Sequence, residues 1–485
     1  MFYREENDTG RLVFIGETIR GGNDMSLEFD KNSFKTMHLE VNGKVLIYRA
    51  YEGISYVERP VAPELQVMNI YVPEQSPYAE GKLPIFMPNT VGGYMPGPAA
   101  CPRVWENGEG NSVAKALLRG YMVAAPGLRG RGMKNETGEN IGVAPADICD
   151  YKAAVRYLRY NKELLPGDTE KIISNGTSAG GAMSALLGTT GNHPDYEPYL
   201  EELGAAKERD DIFYASCYCP IINLEHADMA YEREFYGLWD CYQGRYVPPE
   251  HTGEEGKWVP VVRQMTEEQK KLSEELRGRF PEYVANLGLT DALGRVMLLQ
   301  EDGGSLRERL CAYILEAAEE AIRSGEDLEN CGWLLSRDGE VIDLDYEMYI
   351  DYRTRMKDTP AFDKLSLESP ENELFGSATV ERRHFTEYAL AHSTANGDMA
   401  EALQIKLMNP MNYVSDEQAV KAKHIRIRHG AIDRDTSLYI PLLFALALQN
   451  QGISVDLKYP WGKWHMGDYD LEQVFNEIDT MEEGK

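Results

Sequence analysis

Apolar and polar positions follow two rhythms along this chain of 485 residues. Over the first 80 residues the pattern is that of strands with one face buried. His38–Val41 and Lys44–Arg49 flank Asn42-Gly43, the dipeptide that best suits a type I′ turn, and this predicts a β-hairpin. Gln66–Val72 reads as a further strand, stopped by Pro73. The texture then changes. Lys82–Met87, Tyr121–Ala125, Lys171–Asn175 and Phe213–Pro220 are short strand-like runs. Between them Ala114–Arg119, Asp150–Tyr160 and Ala182–Leu187 read as helices, the second with Ala153, Ala154, Val155 and Leu158 on one face. Continuous apolar runs are what strands buried on both faces require. Strand–helix alternation at this spacing predicts an α/β fold, a mostly parallel sheet with helices on both sides.

The alternation stops between about Asn223 and Val420. Thr266–Arg277 and Leu306–Ser324 read there as charged amphipathic helices, followed by aromatic-rich stretches such as Tyr346–Arg353. A connection usually takes about 4–6 residues, so residues 223–420 are expected to be an inserted domain within a core formed by 1–222 and 421–485. The rhythm resumes with strand Ile425–Arg428, helix Leu438–Gln449 and strand Ser454–Tyr459. Pro441 is tolerable only in the first turn of that helix.

Fifty Lys and Arg against 79 Asp and Glu give a net charge of −29, which disfavours nucleic acid and acidic membrane surfaces as partners. No run of about 18 apolar residues predicts a membrane span. Met1–Gly22 carries Glu5, Glu6 and Asp8 without an apolar core, which argues against a secretory leader. Seven scattered cysteines fit reduced thiols in a cytoplasm. Cys217-x-Cys219 lacks a second pair and reads as strand core rather than a metal site.

The sharpest local feature is Gly176-Thr177-Ser178-Ala179-Gly180-Gly181. The G-x-S-x-G pattern alone is weak, but here a strand precedes it and a small-residue helix follows, the layout of a nucleophile elbow. Such a turn strains the serine backbone and projects its hydroxyl at a helix N-terminus, where amide dipoles favour developing negative charge. A neutral hydroxyl needs a base oriented by a carboxylate, and the chain order on such a scaffold is Ser, then acid, then His. His429-Gly430-Ala431-Ile432-Asp433-Arg434-Asp435 follows one C-terminal strand, and Tyr459–Gly467, containing His465, follows the next. Of nine histidines, His424 starts a strand and so lies at the wrong edge. His429 precedes the acid, and its place at the strand end suits packing. His465 is therefore the expected base. Spacing leaves Asp433 and Asp435 both open as the acid. The loop Asn89–Tyr94 can turn a backbone N–H toward the elbow; Gly92, paired with the N–H of Ala179, is the expected oxyanion donor.

These motifs, together with Arg426–Ser437 and Trp464-His465-Met466-Gly467-Asp468-Tyr469-Asp470, resemble those of the bacterial tannases of the intracellular type. The resemblance spans most of the chain. It implies an α/β-hydrolase fold with a large inserted lid, hydrolysis of galloyl esters, and the triad Ser178, Asp433 and His465. It also implies a galloyl-binding set of Lys357, Glu371 and Asp435, with Asp435 carried by a motif and the other two by weaker local alignment. No metal or organic cofactor is implied, the substrate is a small molecule, and a monomer is the expected state. Rival readings are a feruloyl or general carboxylesterase, a serine peptidase of the prolyl-oligopeptidase type, and a hydrolase relative retained for binding. The peptidase is disfavoured because only about 80 residues precede the core, and the complete Ser, Asp and His set argues against the binder.

Overall fold

The computed structural model describes residues 26–79, 81–247, 257–301, 303–328, 331–337 and 340–483. Met1–Gly22 lies outside them. The strands in chain order are β1 (Lys35–Val41), β2 (Lys44–Ser55), β3 (Val67–Pro73), β4 (Leu83–Pro88), β5 (Met122–Pro126), β6 (Gly167–Thr177) and β7 (Tyr214–Tyr218). After them come β8 (Asp240–Val247), β9 (Lys257–Gln264), β10 (Leu334–Arg337), β11 (Glu340–Leu344), β12 (His424–Arg428) and β13 (Ser454–Lys458). Nine form one sheet in the order β1-β2-β3-β5-β4-β6-β7-β12-β13. The pairings from β5 to β13 are parallel, whereas β1-β2, β2-β3 and β3-β5 are antiparallel. The expected hairpin is present, with Asn42 and Gly43 both at positive φ, 48° and 73°.

The sheet is covered on both faces, because alternate residues of each strand point opposite ways. Ile85, Met87, Met122, Ala124 and Ile172 belong to the larger core. Helix α2 (Ala146–Tyr160), helix α3 (Ala179–Thr189) and helix Tyr439–Asn450 pack there. Phe86, Val123 and Ile173 face the other side, against helix α1 (Ser112–Arg119) and the C-terminal helix Leu471–Glu483. Gly120, at φ 92°, ends α1 in the left-handed conformation that glycine adopts without a side-chain penalty.

Between β7 and β12 the chain adds no described strand to this sheet. It forms two hairpins, β8–β9 and β10–β11, which the sequence pattern did not reveal, and several helices. Helix Glu267–Asn286 starts at a capping box made by Thr266 and Gln269. It runs nine residues past the expected end at Arg277, through Pro281, because Phe280 and Val284 are buried. Packing outweighs the hydrogen bond that proline removes. This segment shares the larger core: Phe280, Leu310 and Tyr349 belong to the same buried cluster as the sheet residues, and Phe280 lies 6.0 Å from Tyr439.

Candidate active site

Strand β6 ends at Thr177 and α3 begins at Ala179, leaving Ser178 in the turn between them. Its φ of 62° and ψ of −123° are unfavourable for any residue with a Cβ. The strain is held by the surroundings. The Ser178 N–H donates to the Tyr218 carbonyl at 2.9 Å and the Gly180 N–H to Val91 at 3.0 Å. The buried Asn89 amide bridges the turn, donating to the carbonyls of Gly180 at 3.0 Å and Asn175 at 3.2 Å. A Cβ on Gly176 would lie 2.2 Å from the Gly180 carbonyl oxygen, so no other residue fits without moving backbone. Asn89 is a brace that the motif reading did not single out.

Asp433 follows β12 and His465 follows β13, both at the carboxyl edge of the sheet, where β6 also ends. This is the edge at which parallel α/β sheets carry their sites. His465 Nδ1 lies 2.7 Å from Asp433 Oδ2 and 3.8 Å from Asp435 Oδ2. Of the two carboxylates that spacing left open, Asp433 is the one in hydrogen-bond contact with His465. The His465 loop is seated against the elbow. A Cβ on Gly467 would fall 1.9 Å from Thr177 Oγ1, and Asn175 Nδ2 donates to Asp468 Oδ1 at 2.8 Å.

Burial alone would raise the Asp433 pKa. The facing His429 and His465, the hydrogen bond from His465 and the N–H of Asp435 reverse this and hold the carboxyl well below its usual range. Burial alone would lower the His465 pKa. The Asp433 carboxylate and its hydrogen bond, with Cys219 and Asp435, raise it well above the ordinary imidazole value. His429 is fully buried, and that desolvation pushes its pKa down to about 4. The two histidines thus sit in opposite electrostatic settings around one acid.

A cavity of about 320 Å³ opens beside Ser178. Its wall includes Ser178, Ala179, Lys357, Glu371 and Asp435, five of the eight positions singled out from sequence. Gly92, the expected oxyanion donor, is not on this wall; its neighbours Gly93 and Tyr94 are. Among the described residues, neither the Gly93 nor the Ala179 N–H is engaged by another backbone carbonyl. Gly93 is held in place through its carbonyl, which accepts from Arg131 Nε at 2.6 Å, and Arg131 in turn pairs with Glu373 at 2.6 Å. Tyr94 is pinned by its hydroxyl, which donates to Ile221 O at 2.6 Å.

Lys357 Nζ lies 4.0 Å from Asp435 Oδ1 and 4.0 Å from the centre of the Phe362 ring. Glu371 lies in a short helix begun by Ser369, and its carboxyl is buried. Desolvation raises its pKa, moderated by Lys357, Arg131 and Lys364. Four further residues of the 223–420 segment tie it to the Asp433 loop. The Tyr231 hydroxyl accepts from the Lys357 N–H at 3.0 Å and donates to Arg434 O at 3.0 Å. The buried Arg353 pairs with Glu234 and donates to the Asp433 carbonyl, and the Tyr349 hydroxyl donates to Ala431 O. Sequence reasoning missed these residues, since buried charges far apart in the chain leave no local signal.

A strained serine at a strand–helix turn, and an Asp–His pair at the same edge of a largely parallel sheet, are features of an α/β-hydrolase. The chain is similar to the tannase of Lactobacillus plantarum, with 44% identity and a TM-score of 0.89 over 94% of this chain and 98% of that one. It belongs to the tannases, which are carboxylic-ester hydrolases. The Fusobacterium nucleatum tannase is similar at 43% identity and TM-score 0.89, covering 94% and 99% of the two chains. A tannin acyl hydrolase in complex with ethyl gallate is similar at 44% identity and TM-score 0.87, covering 94% and 98%. The family profile described as BD-FAE matches residues 68–218. Esterase LipC of Mycobacterium tuberculosis is 43% identical over 58 residues, 12% of this chain and 14% of that esterase's length. Among the described residues no helix is long and apolar enough to cross a membrane.

Proposed function

We propose that this chain hydrolyses galloyl esters through an acyl-enzyme on Ser178. His465 takes the Ser178 hydroxyl proton as the oxygen attacks the ester carbonyl. Asp433 orients the imidazole and stabilises the imidazolium that forms. The N–H groups of Ala179 and Gly93 receive the developing oxyanion, with Gly93 taking the place first expected of Gly92. His465 then passes its proton to the departing alcohol oxygen. Water, activated by the same histidine, releases gallate and restores the serine.

The observation that carries this reading is the cavity whose wall holds Ser178 together with Lys357, Glu371 and Asp435. Gallate carries three adjacent phenolic hydroxyls, each both donor and acceptor. Two carboxylates accept from hydroxyls while an ammonium donates to a lone pair, and such charge-assisted bonds are strong. In this reading residues 223–420 are a lid that supplies the acyl-side contacts, and the chain works as a monomer without a metal or organic cofactor. Free thiols at all seven cysteines support a reducing, cytoplasmic setting.

Initial rates on methyl gallate, methyl ferulate and methyl benzoate test it. Gallate is expected to lead, with esters bearing two ring hydroxyls between gallate and benzoate. Comparable rates on benzoate would remove the galloyl reading and leave a general esterase.

A further inference from the structure

A second set of ligating side chains lies behind the Asp433–His465 pair. Cys219, His429 and Asp433 are all buried, and their ligand atoms lie within 4.8 Å of one another. His429 Nε2 is 3.3 Å from Asp433 Oδ2. Tetrahedral zinc, bound at about 2.0–2.3 Å, holds neighbouring ligand atoms roughly 3.3–3.7 Å apart. The His429–Asp433 separation already has that spacing, and the cluster as a whole lies within 4.8 Å.

Two independent observations mark the cluster as more than packing. First, His429 is fully buried, yet neither ring nitrogen has a hydrogen-bond partner among the described residues. Buried polar atoms are almost always paired, so this imidazole carries unused ligating capacity next to a carboxylate. Second, Cys219 departs from the strand that holds Cys217. It lies just past β7 at φ 43°, a conformation rare for a residue with a side chain, with its N–H donating to Arg428 O at 2.7 Å. Its thiol makes long contacts with Met466 O at 3.4 Å and Trp464 O at 4.0 Å, and lies beside His465. The sequence reading of the Cys-x-Cys pair as strand core describes Cys217; Cys219 turns into the site.

We propose that Cys219, His429 and Asp433 bind a thiophilic divalent cation of the zinc class, and that occupation withdraws Asp433 from His465 and stops turnover. Bonds form from the metal to the thiolate sulfur, to the neutral imidazole and to the carboxylate. The thiol proton leaves to solvent, and nothing is oxidised or reduced. The site is inhibitory, separate from any requirement for catalysis. Its binding test stands apart from the substrate assignment, whereas the inhibition test rests on the serine mechanism.

Cobalt(II) titration of Ser178→Ala protein is expected to give a thiolate-to-cobalt charge-transfer band saturating at one equivalent per chain. The band should vanish when Cys219→Ser is added and weaken with His429→Gln. In the otherwise native enzyme, Zn²⁺ should inhibit methyl gallate hydrolysis reversibly, with EDTA restoring the rate. Cys219→Ser should raise the Zn²⁺ concentration for half-inhibition at least tenfold, each variant being compared with its own metal-free rate. A band of full amplitude without Cys219, or unchanged half-inhibition, overturns the proposal. If Cys219→Ser does not fold, His429→Gln reads both quantities, and no change in either overturns it equally. If methyl gallate is not a substrate, the cobalt band still decides the site.

Discussion

The backbone N–H of Asp435 donates to Asp433 Oδ1 at 2.8 Å. The carboxylate in contact with His465 is therefore held by the backbone of the residue that lines the cavity beside Ser178. Asp433 uses its other oxygen for His465. In the proposed mechanism, ring recognition and proton transfer share a turn of three residues.

Removal of the nucleophile is the first test. Ser178→Ala should fold as the parent does and lose turnover by on the order of 10⁴-fold or more, since the remaining members of a triad achieve little alone. Fluorophosphonate labelling should vanish with it. Residual activity within tenfold of the parent would displace Ser178 from its role.

The two histidines beside Asp433 should separate cleanly. His465→Ala is expected to abolish turnover with little change in unfolding. His429→Ala, which empties a fully buried position, should mainly lower the denaturation midpoint. Steady-state rates and urea unfolding of both variants decide it, and the reverse pattern would exchange their assignments.

The pH profile follows from the charges around His465. The base must be neutral to accept the serine proton, and Asp433 and Asp435 raise its pKa. The acid limb of kcat/KM should then lie above the ordinary imidazole value of about 6.5, with activity rising as pH increases through it. Asp435→Asn removes one of the charges that favour the imidazolium, so its limb should move to lower pH. A limb that stays put or moves upward would show that Asp435 does not act on His465.

Selectivity for the ring should depend on the cavity wall. Asp435→Asn, Lys357→Met and Glu371→Gln should each lower kcat/KM for methyl gallate more than for methyl benzoate. The parent is expected to discriminate between these esters by up to about 10⁴, the range open to a site whose polar groups are left unpaired by the wrong ligand. Equal losses on both esters would place these residues in folding or in the chemical step.

Stability should reveal how closely residues 223–420 are joined to the core. Arg353 and Glu234 are both fully buried, and Arg353 also holds the Asp433 carbonyl. Arg353→Met leaves Glu234 without its partner, which is expected to cost about 3–5 kcal/mol in equilibrium unfolding and to slow catalysis as well. A variant as stable as the parent would mean that the pair contributes nothing.

Much of this protein is written in short stretches of chain. The apolar runs of β4 to β7, β12 and β13 and the helices between them were legible because periodicity is a local property. The elbow at Ser178 was legible because a strained turn demands glycine beside it. The placement of His465 past the last strand followed from topology, since parallel strands present their carboxyl ends at one edge. What spacing left open was which aspartate meets His465, a matter of side-chain direction within one turn. Tertiary structure alone decided that contact, put Gly93 rather than Gly92 on the cavity wall, and carried helix Glu267–Asn286 through a proline. It alone brought Arg353 under Asp433 across 80 residues of chain and drew Cys219, His429 and Asp433 together. These arrangements depend on burial and on charges meeting across the core, and such meetings leave no pattern in neighbouring residues.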